Sequence, residues 1–147
     1  MAHVRQQIRD AIVTALTGLT TTGSSVFRSR IYPIEAARLP GLCVYTMTEA
    51  SEIETISRPR LSSRDLTVAV EAYVSGVNNY DNTLDTISVE VEQALAADPS
   101  LGGLAKDLKI AAFEAEFAGE GEQPVAVGRI TVAVEYAVAE NNVETAA

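Results

Sequence analysis

The chain has no tryptophan, one cysteine, one histidine and five prolines, and only 5% of its 147 residues are aromatic. Each scarcity removes a class of explanation. A single cysteine, Cys43, leaves no second sulfur for an internal disulfide, so a reducing, cytoplasmic site of synthesis is the expectation. A Ser-His-Asp or Cys-His pair needs a firmly held imidazole, and His3 stands near a chain end. It reads as a solvent-exposed terminal residue. No apolar run reaches about 18 residues, so no membrane-spanning helix is expected. The opening MAHVRQQIRD lacks the apolar segment of a signal peptide. Neither Gly-x-x-x-x-Gly-Lys-Ser/Thr nor Gly-x-Gly-x-x-Gly occurs, and no EF-hand loop is present.

Positive charge is also scarce. Eleven basic residues face twenty acids, for a net charge of −9, which disfavours general binding to a phosphate backbone. Its distribution is uneven. Residues 1–64 hold eight arginines against five acids, net +3, and residues 65–147 hold three basic residues against fifteen acids, net −12. Such asymmetry is either ordinary surface solvation or a basis for copies packing head to tail, since complementary fields favour one orientation.

What the chain has in quantity is apolar residues, at 47%. A chain of this length buries roughly 68–70% of its unfolded surface and sustains a core without metals or disulfides. The clearest pattern lies between Leu61 and Ser75. Leu66, Val68, Val70, Ala72 and Val74 alternate with Asp65, Thr67, Glu71, Tyr73 and Ser75, with Ala69 the small exception. That period of two predicts a strand with one apolar row on the core and one mixed row outside, at the centre of a sheet.

Taken in order, Val4, Ile8, Ala11, Ile12, Ala15, Leu16 and Leu19 make one apolar stripe, predicting a helix over about Ala2 to Leu16 that the Thr- and Gly-rich 17–23 segment ends. Val26 to Ile31 is a short strand with Arg28 and Arg30 on one face. Leu42 to Met47 is a strand apolar on both faces. The polar stretch Thr48 to Ser63, with arginines around Pro59, is either a long hairpin arm or a flexible loop. Asn78 to Asn82 opens a second helix, with Asn and Asp side chains as first-turn acceptors and Leu84, Ile87, Val91 and Leu95 as its stripe. Asp98-Pro99 stops it. In Lys106 to Phe117 the apolar phase changes, from Leu108, Ile110 and Ala112 to Phe113, Ala115 and Phe117, which suggests a bulge near Ala112 or a change of partner strand. A loop over 119–124 returns the chain into a last alternating strand, Val125 to Val138. Residues 139–147 are small and polar and are expected to fray.

The order α-β-β-β-α-β-β with short hairpins predicts an α+β fold: a mostly antiparallel sheet of four to five strands, two helices on one face, and a single domain over residues 1–138.

Candidate chemistry is sparse. Cys43 among apolar neighbours reads as a core thiol. Glu114 and Glu116 share a strand face, and Glu120 and Glu122 stand in the following loop. Together they form an acidic patch that is either solvated or a seat for a hard cation or an acid–base pair, though nothing in the spacing separates two carboxylates into acid and base. No catalytic, metal or cofactor residue is assigned. Arg28 with Arg30, and Arg58, Arg60 and Arg64, fall on alternate positions and would grip a carboxylate-bearing partner through bidentate bonds. Their alternative role is to charge a solvated edge against unwanted pairing.

Several stretches together resemble the tail terminator (tail completion) proteins of long-tailed phages with flexible, non-contractile, lambda-like tails. The matching pieces are the N-terminal helix with Arg5 and Arg9, the strand after Leu39-Pro40-Gly41 reading Leu42-Cys43-Val44-Tyr45-Thr46, and the polar Glu- and Arg-bearing segment. They continue with the strand Leu66 to Val74 closed by Gly76, the helix with Leu84-Asp85 and Glu90-Val91-Glu92, and the turn Leu101-Gly102-Gly103-Leu104. Gly121-Glu122-Gln123-Pro124 and Val134-Glu135-Tyr136 complete the series. The order and spacing carry the likeness. The resemblance implies a structural, non-enzymatic role as a homo-hexameric ring on the head-proximal end of the tail tube, part of the virion. Its implied partners are its own copies, the tail tube protein and a head–tail neck protein, with DNA passing through the lumen without specific binding. The rival readings are another neck protein, such as a head–tail adaptor or stopper, and a small-molecule-binding α+β domain or an enzyme using Glu114 and Glu116.

Overall fold

A computed structural model describes residues 2–28, 39–76, 79–118 and 124–147. Its elements are α1 (Val4–Leu16), β1 (Val26–Phe27), β2 (Gly41–Ile53), β3 (Leu61–Ser75), α2 (Tyr80–Ala96), β4 (Asp107–Ala118) and β5 (Val125–Ala139). The architecture is α+β. One five-stranded sheet runs in the order β1-β2-β3-β5-β4, so β3 is its middle strand. The sheet is mixed: β1 pairs parallel to β2, and every other neighbour is antiparallel. The parallel pair follows from the connection between β1 and β2, which is too long for a tight hairpin. Pro33 and the later part of the strand expected over Val26 to Ile31, Arg30 and Ile31 included, lie outside the described residues.

Both helices lie on one face. Val4, Ile8, Ile12, Val13 and Leu16 of α1, and Leu84, Ile87, Val91 and Leu95 of α2, join one core with Leu42, Val44, Leu66, Val68, Val70, Ile130, Val132 and Val134. A 13-residue helix is marginal alone in water. Each buried Val, Leu or Ile stabilises by about 1.5–3 kcal/mol, so α1 exists because it docks.

The N–H groups of the first three residues of α1, which have no partner four residues back, are all bonded, and the regular ladder begins with Gln7. Val4 N donates to Val143 O at 2.9 Å, Arg5 N to His3 Nδ1 at 3.0 Å, and Gln6 N and Gln7 N to His3 O at 2.9 and 3.1 Å. His3 is therefore a helix cap, not an exposed terminal residue. The same bonds correct the expectation that the last residues fray. Val143 and Ala146 pack on the core, the Gln7 amide donates to Glu144 O at 2.8 Å, and Ala147 N donates to Ala137 O at 2.9 Å.

Two bulges set the faces of the sheet. Between Ile110 and Ala112 the register of β4 on β5 slips by one residue. Ala111 is the extra residue, and it brings Leu108, Ile110, Phe113, Ala115 and Phe117 onto the helix side together. A second slip, between Thr46 and Thr48 of β2, is absent from any simple reading of the alternation. It makes Met47 the extra residue and turns Glu49 onto the helix side, opposite Leu66. Gly128 sits where Leu84 and Phe113 meet. A Cβ there would lie 3.1 Å from Leu84 Cδ2 and 3.1 Å from Phe113 Cε2, so glycine is what lets both side chains reach the strand.

The stretch Thr48 to Ser63 is an arm rather than a loop along most of its length. β2 and β3 stay paired out to Ile53 and Ser62, and Glu54 N donates to Leu61 O at 2.8 Å. Asn79 precedes α2 with φ 51°, and its side chain makes no capping bond, contrary to the acceptor role expected of it. Its backbone carbonyl accepts from Thr83 N instead, at 3.1 Å.

Candidate assembly surfaces

The root of the arm is held by a polar cluster on the helix side. Glu49 Oε2 accepts from Arg5 Nη1 at 2.5 Å and from Arg64 Nη1 at 3.3 Å, and Glu49 Oε1 accepts from the hydroxyl of Tyr136. Tyr136 is fully buried, and burial followed by the bond to Glu49 pushes its phenol up to about 12. His3 Nε2 is 3.4 Å from Arg64 Nη1. Burial, and then the neighbouring Arg5 charge, hold the imidazole below its ordinary value. The cluster ties together α1, β2, β3 and β5. Sequence reasoning missed it because Glu49 stands in the polar stretch, and only the bulge at Met47 aims it inward.

The opposite face carries a second ion pair. Glu71 Oε2 accepts from Nε and Nη2 of Arg129, both at 3.1 Å, and Glu71 Oε1 accepts from the hydroxyl of Tyr73 at 2.8 Å. Glu71 is buried, although the alternation places it on an outer row. Arg129 lies directly across the ladder from it, so the carboxylate loses water and gains a fork of donors. That bond is the main reason the guanidinium is held above its ordinary value.

The same face presents acids in register. Asp65, Glu135 and Asp107 lie in one row across β3, β5 and β4, lining an open cavity of about 270 Å³ with Thr67 and Lys109. Glu114 lies across from Arg129 and Glu116 across from Val127, so these two acids do share a face, and both are exposed. Glu120 and Glu122 lie outside the described residues. Among those described, no group of three or more His, Cys, Asp or Glu is set to hold a metal ion. Cys43 is buried.

Within the two arginine sets read as gripping a partner, the fold sends the described members to different places. Arg64 turns inward to Glu49. Arg58, in the arm's turn, reaches Glu140 of its own chain at 3.2 Å, and Arg60 O accepts from Glu140 N at 2.8 Å. Arg28 is exposed and stands 3.7 Å from Asp10, and Arg30 lies outside the described residues. Among the described residues, exposed large apolar side chains fall in three places: Met47, Ile53 and Ile56 on β2 and the arm, with Ile56 94% exposed, Val89 on α2, and Phe113 and Phe117 on the edge strand β4.

No protein-family model matches the chain, and no curated protein matches it. Among solved structures the chain is similar to one in the virion of a native gene transfer agent particle, at 16% identity and a TM-score of 0.35, covering 90% of this chain and 92% of that chain. At that score the function has to be argued from the geometry. No helix among the described residues is long and apolar enough to cross a membrane.

Proposed function

We propose that this chain is a structural, non-enzymatic virion protein, a tail terminator. It caps the head-proximal end of a phage tail tube as a ring, stops tube growth and offers a surface to the neck. The observation that carries the reading is the β2–β3 arm. Its turn is exposed, its apolar Ile53 and Ile56 face solvent, and Glu49 joins its two strands and pins its root to two other elements, α1 and β5. An ordered, exposed turn that carries Ile56, with Ile53 beside it, suits docking on a protein surface. The order and spacing of the sequence elements support the same reading, as does the net negative charge, which lets DNA pass through a lumen without sticking.

The test is solution mass by light scattering, with electron microscopy of the same sample, alone and with tail tube. A six-fold ring, formed alone or on the tube, is the expected result. The double variant Arg58→Glu with Arg60→Glu should impair ring formation or lengthen tails. Unchanged rings and tail lengths in that variant would remove the arm from the mechanism. Copurification with portal or capsid and indifference to tube would reassign the protein to the neck.

A further inference from the structure

The two lateral edges of the sheet carry opposite charge, and this relation is visible only in the fold. At one edge stand β4 and α2, which pack on each other. Together they hold seven carboxylates against one lysine, with Asp81, Asp85, Glu92, Asp107, Glu114 and Glu116 all exposed. At the other edge stand β1 and α1, with the adjoining Arg28 exposed and Arg9 partly buried near Asp10, while Arg5 is already paired with Glu49. The Arg28 side chain is 66% exposed and stands 3.7 Å from Asp10, whereas Arg9 is partly buried, with Nη1 3.4 Å from Thr46 Oγ1. The acidic edge also exposes Phe113 and Phe117, at 45% and 52%. β4 is a strand of twelve residues with a neighbour in the sheet on one side only.

We infer that the β4–α2 edge is an interface for a second copy of this chain, which presents its Arg28-bearing β1–α1 edge. The contact is heterologous: one edge of each copy meets the other edge of the next. Such contacts close into rings or extend as filaments, and never stop at a two-fold dimer. Complementary charge fixes the orientation, and Phe113 and Phe117 supply apolar area that a charged rim alone lacks. The inference rests on the ring reading above and names the surfaces that would make the ring.

A charge exchange tests it, in the full chain, with tail tube present wherever assembly requires it. Arg28→Glu alone, and Glu114→Arg with Glu116→Arg, should each weaken self-association by about tenfold or more. The triple variant carrying all three changes should restore it, as should an equal mixture of the two impaired proteins at their shared junctions. These residues are exposed, and unchanged thermal melting of each variant shows that it folds. Wild-type assembly that survives both reversals overturns this interface and leaves the terminator reading intact. Loss in both without recovery in the triple variant overturns the pairing of these two edges. A wild-type chain that stays monomeric at every concentration and beside tail tube overturns both proposals.

Discussion

The hydroxyl of Tyr136, near the end of the last strand, donates to Oε1 of Glu49 in the arm. The same carboxylate accepts from Arg5 and Arg64 through Oε2, so Glu49 is where the arm is joined to the body. Tyr136→Phe removes one donor and should cost about 1–2 kcal/mol. Glu49→Ala leaves a buried hydroxyl and two guanidinium groups without that acceptor and should cost more than Tyr136→Phe. Urea unfolding of both variants checks the order. Equal midpoints would mean that the arginines contribute nothing through Glu49.

Across the sheet, Arg129→Ala would remove the guanidinium fork from buried Glu71 and should cost about 3–5 kcal/mol. The paired change Glu71→Leu with Arg129→Met removes both charges and should be closer to wild type than Arg129→Ala. Chemical denaturation of the single and paired variants decides it. A paired variant as weak as the single one would show that the ion pair stabilises beyond its own desolvation.

Stability should fall at both ends of the pH range. The His3 imidazole is held below its ordinary value in the fold, so the unfolded chain takes up the proton first. Stability is full above about pH 6.5 and declines as pH falls below it. Tyr136 works in the opposite sense. Its phenol is pushed up to about 12, so the unfolded chain loses the proton first, and stability declines from about pH 10 upward. Melting temperature against pH should show both slopes. His3→Gln should flatten the acid one, and Tyr136→Phe should flatten the alkaline one.

Gly128→Ala should destabilise by about 1 kcal/mol, because the new methyl meets Leu84 and Phe113 at 3.1 Å. Phe113 is the more exposed of the two neighbours and yields more easily. Phe113→Leu in the same chain should therefore recover part of the loss, read as a shift in melting temperature.

Much of this molecule is legible from local pattern. The apolar stripes of α1 and α2 and the alternation of β3 and β5 depend on side chains a few residues apart, and the core contains those residues. The phase change in β4 pointed to a bulge, and the register slips at Ala111. The candidate surface was less legible. Glu114 and Glu116 share a face because alternation alone requires it. Spacing alone groups Arg64 with Arg58 and Arg60, yet its own strand turns it toward Glu49.

What the sequence by itself determined is the set of elements and which side of each is apolar, because helix and strand periodicity are properties of neighbouring residues. Only the tertiary structure decided which strands lie side by side and in what register. The slip at Met47 shows why this matters: one extra residue in β2 reverses every side chain beyond it, and Glu49 becomes a junction instead of a surface charge. Burial of Glu71 likewise depends on Arg129 arriving opposite it, from a strand far along the chain. The separation of acidic and basic edges has the same origin. Charge in a sequence has no position until strand order assigns one end of the sheet to β1 and the other to β4.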